Sequence, residues 1–176
     1  IDPSEAERPL DDFASLNDFF TRRLRAECRP VNQDPEVLVS PADGRLLVLS
    51  PLAENAPLTV KNCRVTIASL LEDSTAARCF RRGAAVVVRL APADYHRFHF
   101  PDSGTASACR EAGRGLHSVH TIALSGGAPS FLNHRMISFL DSSNFGTIAL
   151  IEVGAMLVGR ITQTFTPGPV LRGQEK

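Results

Sequence analysis

Apolar and polar residues alternate with a period of two along most of the chain after Pro30. Aliphatic and β-branched runs are separated by turn residues in VLVSPADGRLLVL, LTVKNCRVTI, GAAVVVRLAPADY, RMISFLDSSNFGTIALIEV and MLVGRITQTF. Such alternation predicts β-strands, and DSSNFG between two runs predicts a hairpin. A short helix is expected around residues 67–80. Because no strand–helix–strand rhythm is present, the pattern predicts a mainly β fold of the α+β kind, with an antiparallel β core.

An apolar stripe with helical spacing lies near the start of the chain. Positions i, i+3, i+4 and i+8 are occupied by Leu16, Phe19, Phe20 and Leu24. This is the pattern of a helix with one buried face. Ser15 stands where an N-cap residue is expected, and Asp18 places a negative charge in the first turn. The spacing predicts a helix over residues 15–27.

Three arginines, Arg22, Arg23 and Arg25, lie mostly outside that stripe. One interpretation is a packed surface helix with a solvated basic face. The other is contact with anionic lipid, to which each basic residue near the surface contributes about 1 kcal/mol. Residues 1–30 are therefore expected to form an N-terminal helical segment with a candidate membrane contact. Residues 31–176 are expected to form one β-rich core.

Composition limits the classes of function. Lys and Arg together number 19, as do Asp and Glu, and 43% of the 176 residues are hydrophobic. The balanced charge gives no support for nucleic-acid binding by the whole surface, and the apolar fraction is typical of a globular domain. No apolar run approaches the roughly 20 residues that span a bilayer. The sequence starts at Ile1 rather than Met, which leaves a preceding segment of the full protein open.

Four cysteines, Cys28, Cys63, Cys79 and Cys109, include no C-x-x-C pair. A chain of this length, with this supply of apolar residues, does not need disulfides to stabilise a core. We therefore expect buried or free thiols, which are typical of a reducing compartment.

The stretch SPADGR, residues 40–45, carries the first candidate for chemistry. Pro41 presets a turn, Asp43 and Gly44 complete it, and a strand resumes at Leu46. A plain turn is one interpretation. The other is that the Asp43 carboxylate lies at a bend between strands and orients an imidazole.

Two histidines three positions apart stand in DYHRFHFP, residues 94–101. Prolines at 92 and 101 predict a bent loop, on which His96 and His99 can face one pocket. A neutral histidine beside a carboxylate is a common means of deprotonating a hydroxyl near pH 7.

A second H-x-x-H pair, His117 and His120 in LHSVH, raises the alternative of a metal site, because neutral imidazole is a common zinc ligand. The first pair lacks the glutamate and the helix of H-E-x-x-H peptidases, and the second lies in a β-like stretch. We therefore predict no metal and interpret His117 and His120 as structural. Neither a G-x-S-x-G elbow, a P-loop nor G-x-G-x-x-G is present. The residues alone indicate an Asp–His site without naming a reaction.

Five stretches, in this order, resemble the phosphatidylserine decarboxylase family: FFTRRLRAECRPV, SPADGR, DYHRFHFP, LHSVHTIAL and VGAMLVGRI. The resemblance runs from about Leu16 to Lys176, and SPADGR with YHRFHFP is its most specific part. It implies a carboxy-lyase that converts phosphatidylserine to phosphatidylethanolamine and carbon dioxide. It also implies a self-cleaving precursor, whose small (alpha) chain begins with a pyruvoyl group made from the serine of a Gly-Ser motif.

In this family the pyruvoyl ketone forms a Schiff base with the substrate amine and accepts electrons as carbon dioxide leaves. Carried over residue by residue, Asp43 matches the aspartate of PADGR and would orient His99. His99 would activate the serine for self-cleavage, and His96 would act on the substrate during decarboxylation. The family often has Asn where this chain has His120, and Glu where it has His134, which leaves the roles of both undefined.

No serine follows Ser143, so the resemblance places the pyruvoyl-forming serine beyond Lys176. The chain is then expected to be the large (beta) chain of a processed enzyme, or else a truncated chain that cannot process. The family implies the small chain, phosphatidylserine and a membrane surface as partners, with homodimerisation as a further expectation. The expected location is a bacterial inner membrane, or an organelle membrane such as the mitochondrial inner membrane, facing a reducing compartment.

Two alternatives remain open at the level of sequence. One is a pyruvoyl-type decarboxylase that acts on a free amino acid. The other is a non-catalytic β-rich binding module in which Asp43 and the histidines have only structural roles.

Overall fold

The computed structural model of the chain describes residues 2–52, 57–60 and 63–176. The strands within these ranges are β1 (Arg45–Leu49), β2 (Leu58–Val60), β3 (Cys63–Val65), β4 (Ala85–Arg89), β5 (Gly104–Ala106), β6 (Arg110–Ala112), β7 (Arg135–Ser142), β8 (Gly146–Val153) and β9 (Gly168–Val170). The α-helices are α1 (Leu16–Phe20), α2 (Ile67–Leu71), α3 (Ser74–Ala77) and α4 (Thr121–Ser125). Short 3-10 turns lie at Pro3–Glu5, Leu10–Asp12, Ala26–Cys28, Arg78–Phe80 and Ser130–Leu132. The predicted mainly β, α+β class with an antiparallel core is confirmed.

Strand β7 is the centre of a five-stranded antiparallel sheet. Its whole length pairs with β8, while its other edge pairs with β6 near its start and with β5 near its end. Strand β9 extends the sheet beyond β5. The β7–β8 connection is the hairpin predicted at DSSNFG, and Gly146 leaves it with a φ of +70°. Residues with a side chain rarely adopt that conformation, so the glycine suits this position.

A separate two-stranded ribbon, β1 with β4, begins directly after the SPADGR turn. Arg45 pairs with Arg89 at this end of the ribbon. Gly44 has a φ of +136°, and a Cβ there would lie 2.5 Å from the Arg89 carbonyl oxygen. Only glycine allows the turn to approach β4 so closely. The neighbouring Asp43 is thereby fixed at the mouth of the ribbon.

Among the residues that the structure describes, most of the buried apolar side chains lie in three small clusters. The first lies under β5, β7, β8 and β9 and contains Phe100, Ala106, Leu140, Leu150 and Val170. The second contains Leu58, Val65 and Leu70. The third contains Leu71, Ala112 and Ile137. Because Phe100 is fully buried in the first cluster, the histidine loop of residues 94–101 is anchored to the main sheet at its C-terminal end.

The N-terminal helix is shorter than the sequence pattern predicts, because α1 ends at Phe20 rather than near residue 27. The chain then becomes extended and pairs with an earlier segment. The Glu7 N–H donates to the Arg23 carbonyl, and the Arg25 N–H donates to the Glu5 carbonyl, both at 2.9 Å. These bonds between segments replace the helical bonds that the apolar stripe favours locally. No helix in the described part of the chain is long and apolar enough to cross a bilayer.

Two other predictions have different outcomes. The single short helix expected around residues 67–80 is helical but interrupted: α2 ends at Leu71, its C-cap Glu72 has a φ of +46°, and α3 and a 3-10 turn follow it. The strand expected in MLVGRITQTF is wrong: Ala155 and Val158 close a tight turn through two backbone bonds of 3.0 Å, and the following residues are irregular. A Cβ at Gly159 would lie 2.5 Å from the Leu116 side chain, so this loop is packed against another loop instead of a strand.

Candidate active site

The histidine loop, residues 94–101, lies directly against the SPADGR turn. The His99 N–H donates to the Pro41 carbonyl at 2.7 Å. The other side of the loop pairs with the last residues of the chain, through Phe100 N–H to the Gln174 carbonyl and Lys176 N–H to the Phe98 carbonyl, both at 2.9 Å. The two motifs that the sequence singles out, separated by about fifty residues, are therefore neighbours in space.

The His99 side chain is partly buried and stacks against Tyr95, with 5.9 Å between ring centroids. Burial lowers the pKa of His99 below its ordinary value. The carboxylates of Glu175 and Asp43 oppose this shift, whereas the Arg97 cation adds to it. The net lowered pKa leaves a neutral imidazole near pH 7, which is the form that accepts a proton.

The His96 ring packs over Phe20 of α1, with 4.0 Å between ring centroids. Its Nδ1 lies 2.8 Å from the Asp94 carbonyl oxygen. A carbonyl only accepts, so the neutral ring carries its proton on Nδ1 and leaves the Nε2 lone pair available. Burial lowers the pKa of His96 as well, although the Asp94 carbonyl and carboxylate oppose the shift. His96 is therefore a second neutral imidazole with a defined tautomer.

Asp43 is held by Arg29 through a bidentate contact. The Arg29 Nη2 and Nε donate to the carboxylate at 2.7–3.1 Å, and the same guanidinium donates to Glu5 at 3.0 and 3.2 Å. These bonds raise the pKa of Arg29. Among the described residues, the side-chain hydrogen bonds of Asp43 go to Arg29, and none joins the His99 ring. The Asp43–His99 pairing that the resemblance implies stays a prediction.

An open cleft of about 660 Å³ lies beside Asp43. Its walls are the SPADGR turn, Leu46, the end of β4 at Arg89, Ala91 and Asp94. The Asp94 carboxylate is fixed by the Ala91 N–H at 2.6 Å, which keeps this wall in place. The cleft adjoins the loop that carries both histidines.

Sequence reasoning missed Arg29, Arg97 and Glu175. Arg97 pairs with Glu175 and donates from Nε to the carbonyls of Thr21 and Arg22 at 3.0 and 3.2 Å. These contacts join the N-terminal segment, the histidine loop and the C-terminal residues. The sequence marks two of these residues only by their location: Arg29 lies in the family-like stretch FFTRRLRAECRPV, and Arg97 lies in DYHRFHFP.

The second histidine pair has local structural contacts. His120 is the N-cap of α4, and its Nδ1 accepts the Ile122 N–H at 3.3 Å. The His117 backbone is held by buried Asn133, which accepts its N–H at 2.8 Å and donates to its carbonyl at 2.9 Å. No group of three or more His, Cys, Asp or Glu side chains forms a metal-binding arrangement in the residues described.

The thiols of Cys28, Cys79 and Cys109 are free. This agrees with the predicted thiols for these three positions. The state of the Cys63 side chain lies outside the described part of the structure and stays a prediction.

Comparison of the sequence with known proteins identifies its family. The family model for phosphatidylserine decarboxylase matches residues 16–176. The phosphatidylserine decarboxylase proenzyme of Chlamydia trachomatis serovar L2 is 43% identical over 174 residues, which are 98% of this chain and 58% of the relative. The proenzymes of Clostridium perfringens and Fusobacterium nucleatum are each 40% identical over 178 residues, covering 100% of this chain and 60% and 59% of the relatives.

The chain thus spans less than two thirds of the length of these curated relatives. The matched length covers 98–100% of the chain and therefore includes the N-terminal segment, the SPADGR turn and the histidine loop. On the family match and on this identity, the chain belongs to the phosphatidylserine decarboxylase family.

Proposed function

We propose that the chain is the large (beta) subunit of a phosphatidylserine decarboxylase. With the small chain of the same precursor, it converts phosphatidylserine to phosphatidylethanolamine and carbon dioxide. The observation that carries this proposal is the contact of the histidine loop with the SPADGR turn, because it sets the loop that carries both neutral imidazoles against the turn that carries Asp43 and borders an open cleft. The relatives are named proenzymes, which supports self-cleavage.

His99 is proposed to take the hydroxyl proton of the processing serine. Its lowered pKa supplies the neutral form, and the Pro41 contact and the Tyr95 ring hold it in place. The negative charges of Asp43 and Glu175 stabilise the imidazolium once the proton has been taken. Arg29 orients the Asp43 carboxylate at the mouth of the β1–β4 ribbon.

His96 is proposed to handle a proton on the substrate during decarboxylation. The Asp94 carbonyl holds Nδ1–H, so Nε2 is the atom that accepts or returns the proton. Packing against Phe20 excludes water from one face of the ring. This division assigns one imidazole to processing and the other to turnover.

The family implies a pyruvoyl group on the small chain, and the residues present fit it. When bound, this group supplies an electron sink for loss of carbon dioxide. The cleft of about 660 Å³ beside Asp43 is open to a second chain, and the histidine loop, which borders it at Asp94, carries neutral imidazoles that can accept protons.

A membrane contact is also part of the proposal, and the structure favours a surface other than the basic face of residues 15–27. Arg22 is only 5% exposed, while Arg23 and Arg25 form ion pairs with Glu175 and Glu27. Two abutting segments instead expose Leu116, Val119, Ile122, Met156, Leu157 and Val158. They are the loop of residues 116–120 with the start of α4 up to residue 122, and the turn of residues 155–158. We call them the apolar loops.

The apolar loops combine exposed apolar side chains with a lack of nearby acidic residues in the sequence, which suits contact with anionic lipid. Leu157, at the tip of a turn with a φ of +73°, is 97% exposed, and Ile122 is 78% exposed. Asn133 ties the two loops together by donating from Nδ2 to the carbonyls of His117 and Gly154, both at 2.9 Å. Residues 113–134 contain no Asp or Glu, so these loops do not repel a negatively charged bilayer.

Mass spectrometry of the full gene product tests the proposed function. We expect two fragments, the smaller one blocked at its N-terminus by a pyruvoyl group. The purified enzyme should form phosphatidylethanolamine from phosphatidylserine vesicles and should leave soluble amino acids unchanged. An intact, unblocked chain with no turnover would contradict the proposal, and turnover of a free amino acid alone would favour the alternative substrate.

A further inference from the structure

A small polar cavity lies between α1 and the histidine loop, apart from the cleft at Asp43. Its volume is about 260 Å³. Its charged lining consists of Arg8, Arg22, Arg23 and Arg97 together with Glu7 and Asp18. Four arginines therefore line a space large enough for a small anion and a few waters, since one water takes about 30 Å³ in the liquid.

Arg22 is the member of this cluster whose hydrogen bonds are incomplete. Arg22 is buried, with only 5% of the residue exposed. Nη1 donates to the Phe19 carbonyl at 3.3 Å, and the guanidinium lies 4.9 Å from the Phe19 ring centroid. Its Nε is buried without an acceptor, and no carboxylate in the described residues pairs with it. A buried, unpaired guanidinium is costly, which points to a missing anionic partner.

The other charges around the cavity do not supply that partner. Arg8 pairs with Asp18 at 2.9 Å. Arg97 and Arg23 share the single carboxylate of Glu175, and the Arg23 contact is long at 3.7 Å. Even with Glu175 and Glu7 counted, four cations face three carboxylates. The local balance leaves one positive charge, and it lies where Arg22 lacks an acceptor.

We propose that this cavity binds a phosphate group, and that the phosphodiester of the substrate headgroup occupies it during turnover. Guanidinium groups match phosphate oxygens in planar, charge-assisted pairs, and several arginines together are a common phosphate site. The cavity is also placed for the substrate. Arg97 follows His96 directly, and Phe20, two residues before Arg22, packs on the His96 ring. The headgroup assignment rests on the proposed function, whereas phosphate binding itself does not.

Kinetics of the processed, full-length enzyme test the headgroup assignment. With short-chain, soluble phosphatidylserine, Arg22→Gln should raise KM by roughly tenfold or more, as expected for loss of a charge-assisted hydrogen bond, and should leave kcat within about twofold. Arg22→Lys, which keeps the charge without the planar fork, should give an intermediate KM. Arg78→Gln, on the exposed 3-10 turn after α3, is the matched control and should behave as wild type.

Stability in inorganic phosphate separates a ligand site from a structural arginine. In phosphate-free buffer, Arg22→Met should have a Tm at least as high as wild type, because the unpaired charge is removed. Added phosphate should raise the Tm of the wild type and of Arg78→Gln, and should not raise that of Arg22→Met. A lower Tm for Arg22→Met with no phosphate effect in any protein would overturn the proposal.

The two arms also distinguish the source of the phosphate. If phosphate raises the Tm of the wild type and Arg22→Gln raises KM, the site binds the substrate headgroup. If phosphate raises the Tm but the KM of Arg22→Gln is that of the wild type, the site binds free phosphate. An unchanged KM together with a Tm that phosphate does not alter would contradict both the headgroup assignment and a site for free phosphate. A wild-type enzyme that binds phosphate through Arg22 but does not decarboxylate phosphatidylserine would contradict the proposed function and still support the phosphate site.

Discussion

His99 is held neutral by burial, and this has a measurable consequence for pH dependence. Because its pKa is lowered, self-cleavage of the precursor should rise with pH through a midpoint below the ordinary imidazole value of about 6.5. Glu175→Gln removes a carboxylate that raises this pKa and frees Arg97, which lowers it. The midpoint should therefore move to still lower pH, as followed by gel assay of cleavage rate. Exposed Glu111→Gln on β6 is the control, and an upward shift in Glu175→Gln would contradict the assigned role.

Substitution of the site residues separates processing from turnover. His99→Ala and Asp43→Asn should block self-cleavage, because the base and the charge that supports its imidazolium are lost. His96→Ala should still cleave but lower kcat by about 10²–10⁴-fold, the usual range for a lost proton-transfer group. His117→Ala should be normal in both assays, since the contacts of His117 with Asn133 use its backbone. Full activity of His99→Ala after normal processing would refute the assignment.

Asp102 and Arg172 form a deeply buried ion pair, and this pair contributes to the stability of the fold. It is fully buried and bonded to Arg172 at 2.7 Å and to Ser142. Burial raises the pKa of Asp102, but the hydrogen bonds from Ser142 and Arg172 outweigh it and lower the pKa to about 2. The pair joins the β7–β8 hairpin to the C-terminal segment. A carboxylate with a lowered pKa stabilises the fold above its unfolded pKa, and that stability is lost as pH falls through the folded one.

At pH 7, Asp102→Asn should lower the free energy of unfolding by about 3–5 kcal/mol, because Arg172 is left buried and unpaired. Between about pH 4 and about pH 2, the wild type should lose about 2 kcal/mol that the variant does not lose, since one pKa unit is worth about 1.4 kcal/mol. Denaturant unfolding across this range measures both effects. Asp141→Asn, exposed on β7, is the control. A constant difference between wild type and Asp102→Asn would contradict the linkage.

The sequence identifies the types of residue in the site but not all of their partners. Asp43, His96 and His99 stand in motifs, and the structure brings those motifs together. The Arg29 contact with Asp43 spans 14 residues of irregular chain, so no periodicity predicts it. A helix that continues past Phe20 predicts an outward-facing Arg22, whereas α1 ends at Phe20 and Arg22 is buried. After α1 ends, the direction of the Arg22 side chain depends on the backbone pairing of residues 23–25 with residues 5–7. A helical pattern of apolar residues carries no information about that pairing.

At the level of elements, alternation of apolar and polar residues predicts a strand correctly where the strand that pairs with it is close in the sequence. The β7–β8 hairpin follows from its pattern and its turn residues. MLVGRITQTF has the same alternation but no strand, because the Ala155–Val158 turn and the close approach at Gly159 direct it against Leu116. Propensity for a strand is realised only where an edge is available for pairing. The apolar residues of this stretch are exposed at a loop instead.

The apolar loops should carry membrane binding. Leu157→Asp combined with Ile122→Asp should reduce flotation with phosphatidylcholine–phosphatidylglycerol vesicles by at least about tenfold, because each buried aliphatic side chain is worth about 1.5–3 kcal/mol. Turnover of short-chain, soluble phosphatidylserine should be unchanged. Leu171→Asp, at a leucine that is 69% exposed elsewhere, is the matched control. If the double variant Arg23→Glu, Arg25→Glu loses flotation and the double variant Leu157→Asp, Ile122→Asp does not, the membrane contact lies on the N-terminal segment and not on the apolar loops.

At the scale of the whole molecule, the N-terminal segment is part of the site rather than an appendage. Arg29 joins it to Asp43, Phe20 covers His96, and Arg97 donates to the carbonyls that follow α1. The predicted division into residues 1–30 and 31–176 describes a change in sequence pattern. These contacts cross that division and meet at the histidine loop.

Arg97→Ala should therefore loosen the N-terminal segment selectively. It removes the bonds to Thr21 and Arg22 and the pair with Glu175, so amide exchange should accelerate in residues 16–25 while β7 and β8 keep their protection. Less burial by Phe20 should also raise the pKa of His96 toward its ordinary value, which NMR titration of the ring measures. Arg114→Ala, an exposed arginine, is the control. Unchanged exchange in residues 16–25, with an unchanged His96 pKa, would show that the segment is held by its other contacts and that Arg97 does not couple it to the site.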